Sequence, residues 1–88
     1  MAPQKPIVVY STEYCPYCVR VKMLLKSRGY AFEEIDVSGN AEKRAWLVKE
    51  SGGRRTVPVV FIDGKHVGGY DETAALDRTG ELARLVRG

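Results

Sequence analysis

No run in this sequence approaches the roughly 20 apolar residues that a membrane-spanning helix needs. The N-terminus, Met1-Ala2-Pro3-Gln4-Lys5-Pro6, has no apolar core segment, so no secretory signal peptide is expected. Histidine occurs once, as His66, and tryptophan once, as Trp46. Cysteine occurs twice. That scarcity excludes a small scaffold stapled by several disulfides. It also argues against a closed zinc site, because His66 and two cysteines fall short of a full ligand set. Nor is there a basic stripe. The fourteen basic residues are interspersed with eleven acidic ones, for a net charge of +3. Apart from Arg54-Arg55 they do not cluster, so no nucleic-acid partner is expected. The mild positive bias suits a small anionic ligand instead.

What is present is compact in size. A chain of 88 residues is expected to form one domain over 1–88. It buries only roughly 60–65% of the surface its unfolded form exposes. Both cysteines lie in one tetrapeptide, Cys15-Pro16-Tyr17-Cys18. A bridge across so short a loop removes little unfolded-state entropy, so the pair serves chemistry rather than stability. With no export signal, a cytoplasmic location is expected, where such a pair reads as catalytic or metal-binding.

The element order follows from periodicity and punctuation. Ile7-Val8-Val9-Tyr10 is a continuous apolar run suited to a buried strand. Ser11 to Tyr14 is polar, and Pro16 then falls where a helix tolerates proline, in its first turn. Val21, Leu24 and Leu25 recur at helical spacing, with Gly29 as a stop. Phe32 to Val37 predicts a second strand, and its charges predict an edge. Ser38-Gly39-Asn40 turns the chain into a helix over Ala41 to Glu50, with Ala41, Ala45 and Val48 as its inner face. Ser51-Gly52-Gly53 ends it. Val57 to Ile62 predicts a third strand, with Pro58 near its start. Asp63-Gly64 signals a hairpin into a fourth strand, Lys65 to Val67. Asp71 is the expected N-cap of a helix over Thr73 to Arg78. Thr79 can cap a last short helix whose Leu82, Leu85 and Val86 face the core. Trp46, Phe61 and Phe32 read as core or semi-core.

The sum is β-α-β-α-β-β-α with a final helical turn. The first crossover makes its two strands parallel. An α/β fold follows, with a four-stranded mixed sheet and helices on both faces.

Cys15 sits at the N-terminus of the first helix. The unpaired N–H groups there, with the helix dipole, favour the thiolate, which is the nucleophile in disulfide exchange. Cys18 lies one turn further in and is the expected resolving thiol.

Three motifs now carry a resemblance. Cys15-Pro16-Tyr17-Cys18 is the tetrapeptide of dithiol glutaredoxins. Thr56-Val57-Pro58 and Gly68-Gly69-Tyr70-Asp71-Glu72 resemble two further motifs of that family, in the same order. The match runs from about Ile7 to Val86, so the chain resembles a bacterial-type glutaredoxin with the thioredoxin-like fold.

The resemblance implies a glutathione-dependent thiol–disulfide oxidoreductase, with glutathione as reducing co-substrate and no metal. It implies a cis bond before Pro58, and a Val57 backbone that pairs with the cysteinyl part of glutathione, beside Thr56. Gly69 and Tyr70 would border the ligand. The helix opened by Asp71 and Glu72 would receive the γ-glutamyl carboxylate, and the Asp71 side chain the ammonium. Tyr17 would flank the ligand and restrict access to Cys18. Relatives often carry a lysine where this chain has Thr12, so the glycyl carboxylate falls to Arg44, or to Arg54 or Arg55. Tyr70 stands where many relatives have a further cysteine, and a monomer is expected. Disulfide-containing or glutathionylated proteins are the implied partners, ribonucleotide reductase among the family's candidates. Electrons would come from NADPH through glutathione reductase. Two rivals remain at this level: reduction by thioredoxin reductase, and a non-enzymatic [2Fe–2S] carrier, against which Pro16 argues.

Overall fold

A computed structural model describes residues 4–13, 15–53 and 56–87. Among them the chain runs β1 (Ile7–Ser11), α1 (Pro16–Ser27), β2 (Glu33–Asp36), α2 (Ala41–Glu50), β3 (Val59–Ile62), β4 (Lys65–Gly68), α3 (Tyr70–Thr79) and α4 (Glu81–Arg87). The four strands form one mixed sheet in the order β2-β1-β3-β4. β1 pairs with β2 in parallel and with β3 antiparallel, and β3 pairs with β4 antiparallel. The charged strand β2 does lie at an edge, where unpaired groups can face water.

The sheet is covered on both faces, and strand alternation divides its side chains between two cores. Ile7 and Val9 of β1 and Val60 and Ile62 of β3 point one way. They pack with Val21 and Leu25 of α1 and with Leu82 and Val86 of α4. Val8, Tyr10, Val59 and Phe61 point the other way, with Val37 and with Leu47 of α2. Tyr10 meets Phe61 edge-on at 5.6 Å between ring centroids, an arrangement favoured by the ring quadrupole. A bidentate ion pair, Arg28 to Asp77 at 2.9 and 2.8 Å, ties the end of α1 to α3.

Several local expectations shift. The inner residue of α2 is Leu47, while Ala41 and Ala45 are exposed. A one-residue change of helical phase brings a larger side chain to the core. Strand β3 begins at Val59, after Pro58, which has no N–H to give a ladder. In α4, Leu82 and Val86 are fully buried but Leu85 is 37% exposed. The helix is amphipathic with a stripe only one residue wide. No helix among the described residues is long and apolar enough to cross a membrane.

Candidate active site

Cys15 occupies the N-cap of α1, in extended backbone (φ −134°, ψ 102°). Pro16 follows at the first helical position, where its missing N–H costs nothing. The Cys15 Sγ accepts the backbone N–H of Cys18 at 3.2 Å, so sulfur takes the place that a serine or aspartate oxygen fills in other caps. On its other side Sγ lies 3.5 Å from the carbonyl oxygen of Val57, to which the thiol can donate.

Cys18 differs in kind. It is 1% exposed, whereas Cys15 is partly open. Burial pushes the Cys18 thiol up to about 12, and its hydrogen bond with Cys15 adds to the effect. A backbone hydrogen bond from Thr12 and the positive charge of Lys22 oppose it. One helical turn thus separates an accessible sulfur from a protonated, sheltered one.

The peptide bond between Val57 and Pro58 is cis. Thr56, Val57 and Pro58 form one wall of a cleft of about 320 Å³, and Tyr17, Tyr70 and Asp71 complete it. That volume is at the low end of small-ligand sites. The Tyr17 and Tyr70 rings stand 6.1 Å apart, and Tyr17 is 51% exposed. The Arg20 guanidinium sits over the Tyr17 ring, 5.2 Å from its centroid, within cation–π range. Two larger hollows, of about 440 and 470 Å³, lie elsewhere, whereas the smaller cleft adjoins the Cys15 sulfur through Val57, whose carbonyl oxygen is 3.5 Å from it. Chemistry, not size, selects the smaller cleft.

The cap of α3 corrects the sequence reading. Gly69, not Asp71, is the N-cap, and Asp71 falls in the first turn without a side-chain capping bond. The Glu72 carboxylate reaches back to the Gly69 N–H at 2.6 Å, the half of a capping box that glycine permits. Buried Thr73 donates its hydroxyl to the Gly69 carbonyl at 2.8 Å. With Glu72 turned back onto the cap, the Asp71 side chain is left to line the cleft. Gly68 has a positive φ of 134°, and a Cβ there would meet Glu72 atoms at 2.8 Å. Its role is therefore to admit the Glu72 side chain.

The fold thus brings Tyr17, Thr56, Val57, Pro58, Tyr70 and Asp71 together around the cleft. Thr12 and Arg44 do not line it; Arg44 lies exposed on α2. Arg54 and Arg55 lie outside the described residues. Sequence reasoning overlooked Arg20 and the cap role of Glu72. Both carried a signal, a cation three residues after an aromatic on a helix and an acid at the third helical position.

Comparison with known proteins follows the same line. The glutaredoxin family model matches residues 7–67. Glutaredoxin 3 of Escherichia coli K12 is 48% identical over 81 residues, covering 92% of this chain and 96% of that protein. A glutaredoxin of Pseudomonas aeruginosa is 46% identical, covering 92% and 95%. Among solved structures, the buckwheat glutaredoxin–glutathione complex superposes with a TM-score of 0.85 at 39% identity, covering 93% of this chain and 76% of that one. The solution structure of glutaredoxin from Brucella melitensis gives 0.85 at 42% identity, covering 96% and 90%.

Proposed function

The chain belongs to the glutaredoxin family of glutathione-dependent thiol–disulfide oxidoreductases, and on that premise we propose how its residues divide the work. The observation that carries the reading is the asymmetry of the two thiols. Cys15 caps a helix with its sulfur partly open, and Cys18 is buried and protonated beneath it.

Cys15 thiolate attacks a substrate disulfide, the helix start and the Cys18 N–H having stabilised its charge. One sulfur of the substrate leaves as thiol and the other stays on Cys15 as a mixed disulfide. With a glutathionylated substrate, Cys15 keeps the glutathione and a second glutathione removes it. With a protein disulfide, Cys18 displaces the bound protein and closes a Cys15–Cys18 disulfide, which glutathione then reopens.

Glutathione occupies the cleft beside Cys15. Its cysteinyl backbone pairs with Val57, as a one-residue added strand, next to Thr56 and Pro58. Its γ-glutamyl end lies at the first turn of α3, between Gly69 and Glu72, where the helix dipole favours a carboxylate. Asp71 holds the γ-glutamyl ammonium, and Tyr17 and Tyr70 flank the bound tripeptide. The exposed Arg44 serves the glycyl carboxylate from α2. Glutathionylated and disulfide-containing proteins are the substrates, met by the chain as a monomer in a reducing cytoplasm.

The test is a comparison of two assays on three proteins. Cys15→Ser loses both deglutathionylation and protein-disulfide reduction. Cys18→Ser keeps deglutathionylation and loses reduction of protein disulfides. Activity retained by Cys15→Ser would overturn the assignment.

A further inference from the structure

Cys18 carries a chemical difficulty. To close the disulfide it must lose its proton, yet its burial opposes ionisation. A charge that favours the anion has to come from nearby.

Lys22 follows Cys18 by one turn of α1, so the two share a helix face. Its ammonium is held in place. Nζ donates to Glu34 Oε2 at 2.7 Å, and the same oxygen accepts the Ser11 hydroxyl at 2.7 Å. Ser11 is 1% exposed at the end of β1, next to Thr12, whose backbone bonds to Cys18. Glu34 lies on the parallel neighbour β2. Three elements thus fix one ammonium a single helical turn along α1 from the resolving thiol. An isolated surface ion pair would add little to stability. A pair tied to a buried hydroxyl has a defined direction.

We propose that Lys22 is a positioning residue for the second half-reaction: anchored by Glu34 and Ser11, its ammonium favours the Cys18 thiolate that attacks Cys15. The proposal rests on the assignment of Cys18 as resolving thiol. The step balances. The Cys18 sulfur bonds to the Cys15 sulfur, and the bond from Cys15 to the substrate sulfur breaks. That sulfur leaves with the electron pair and takes up, through solvent, the proton Cys18 gave away. In this step Cys18 is oxidised and the leaving sulfur reduced, while Cys15 stays at the disulfide level. Lys22 stays protonated throughout.

The charges around Cys18 make the timing specific. Cys15 and Lys22 are the two whose charges act on it, in opposite directions. In the mixed disulfide Cys15 bears no charge, so its opposition vanishes and Lys22 remains. Among the described residues, the countercharge nearest this ammonium is Glu34, 2.7 Å from Lys22 Nζ. β1 offers Ser11 and the Thr12 backbone, and β2 offers Glu34 beyond Lys22. From α3, Tyr70 packs near the tetrapeptide, while Asp77 is paired with Arg28 at the far end of α1. Arg87 of α4 lies over Tyr30.

The experiment starts from protein glutathionylated on Cys15 at acid pH. A jump to neutral or mildly alkaline pH starts disulfide closure, and quenched samples give the rate of glutathione release. Lys22→Gln is expected to slow closure about three- to tenfold, moving the log-rate profile about half to one pH unit to the alkaline side. Lys22→Arg keeps the charge and stays within about twofold of wild type. The first attack by Cys15, measured in a Cys18→Ser background, changes in neither variant. If Lys22→Gln folds poorly, Lys22→Met carries the same expectation. Superposed pH profiles, equal slowing of both steps, or failure of arginine to restore the rate each overturn the role of Lys22. Wild-type protein that never closes the disulfide overturns the assignment of Cys18 itself, which is a different result.

Discussion

The thiol of Cys15 meets the carbonyl oxygen of Val57 at 3.5 Å, although 42 residues separate them in the chain. The contact sets the nucleophile against the backbone that precedes the cis-proline. A ligand whose N–H pairs with Val57 takes that carbonyl from the thiol. Sulfur is then left with the Cys18 N–H as its hydrogen-bond partner.

Asp71 lines the cleft and makes no capping bond, so its loss should spare the fold. Asp71→Ala is expected to raise KM for a glutathione mixed disulfide roughly fivefold, the cost of about 1 kcal/mol from a lost charge-assisted contact. Its unfolding midpoint in urea should match wild type. A lower midpoint with unchanged KM would show a structural role instead.

Thr12 precedes Cys15 by three residues and carries no charge. Thr12→Lys supplies a cation for the glycyl carboxylate and should tighten glutathione binding about three- to tenfold at low ionic strength. The gain should shrink with added salt. Titration calorimetry on the Cys15→Ser protein reads binding without turnover. No gain at any salt concentration would move the carboxylate site elsewhere.

Gly68 and Gly39 both have positive φ, but they differ in what surrounds them. At Gly68 a Cβ would meet Glu72 at 2.8 Å, whereas at Gly39 it meets open space. Gly39→Ala should cost about 1 kcal/mol, from backbone conformation alone. Gly68→Ala should cost roughly 1–3 kcal/mol, because Glu72 must also leave the Gly69 N–H. Denaturant unfolding of the two variants gives the difference directly.

The raised Cys18 thiol links stability to pH. Its pKa is about 12 in the folded protein, against an ordinary 9.0. Between those values the unfolded chain gives up the proton and the folded chain keeps it, so stability falls as pH rises through that window. Below the ordinary value both states hold the proton and the contribution is complete. Reduced wild type should therefore lose stability on passing from about pH 8 to about pH 10.5, and reduced Cys18→Ser should lose less. Tyr10, also raised by burial, is common to both proteins and cancels in the comparison. Equal losses in the two would remove Cys18 from the account.

The sequence by itself determined a good deal. Pro16 after Cys15 placed one sulfur at a helix start, because within a helix proline fits only the first turn. Continuous apolar runs in Ile7 to Tyr10 and Val57 to Ile62 prescribed strands buried on both faces. The charges around Ile35 put that strand at an edge. These are local properties, carried by periods of two and 3.6 residues. Packing decided the rest. It chose Leu47 over Ala45 as the inner face of α2, because a core is filled by volume as well as by phase. It made Gly69 the cap of α3 and turned Glu72 onto it, which left Asp71 for the cleft. It carried Val57 to Cys15, and it fixed Lys22 to Glu34 and Ser11 across three elements. No period in the chain encodes those meetings. They arise only when the sheet order sets distant segments side by side.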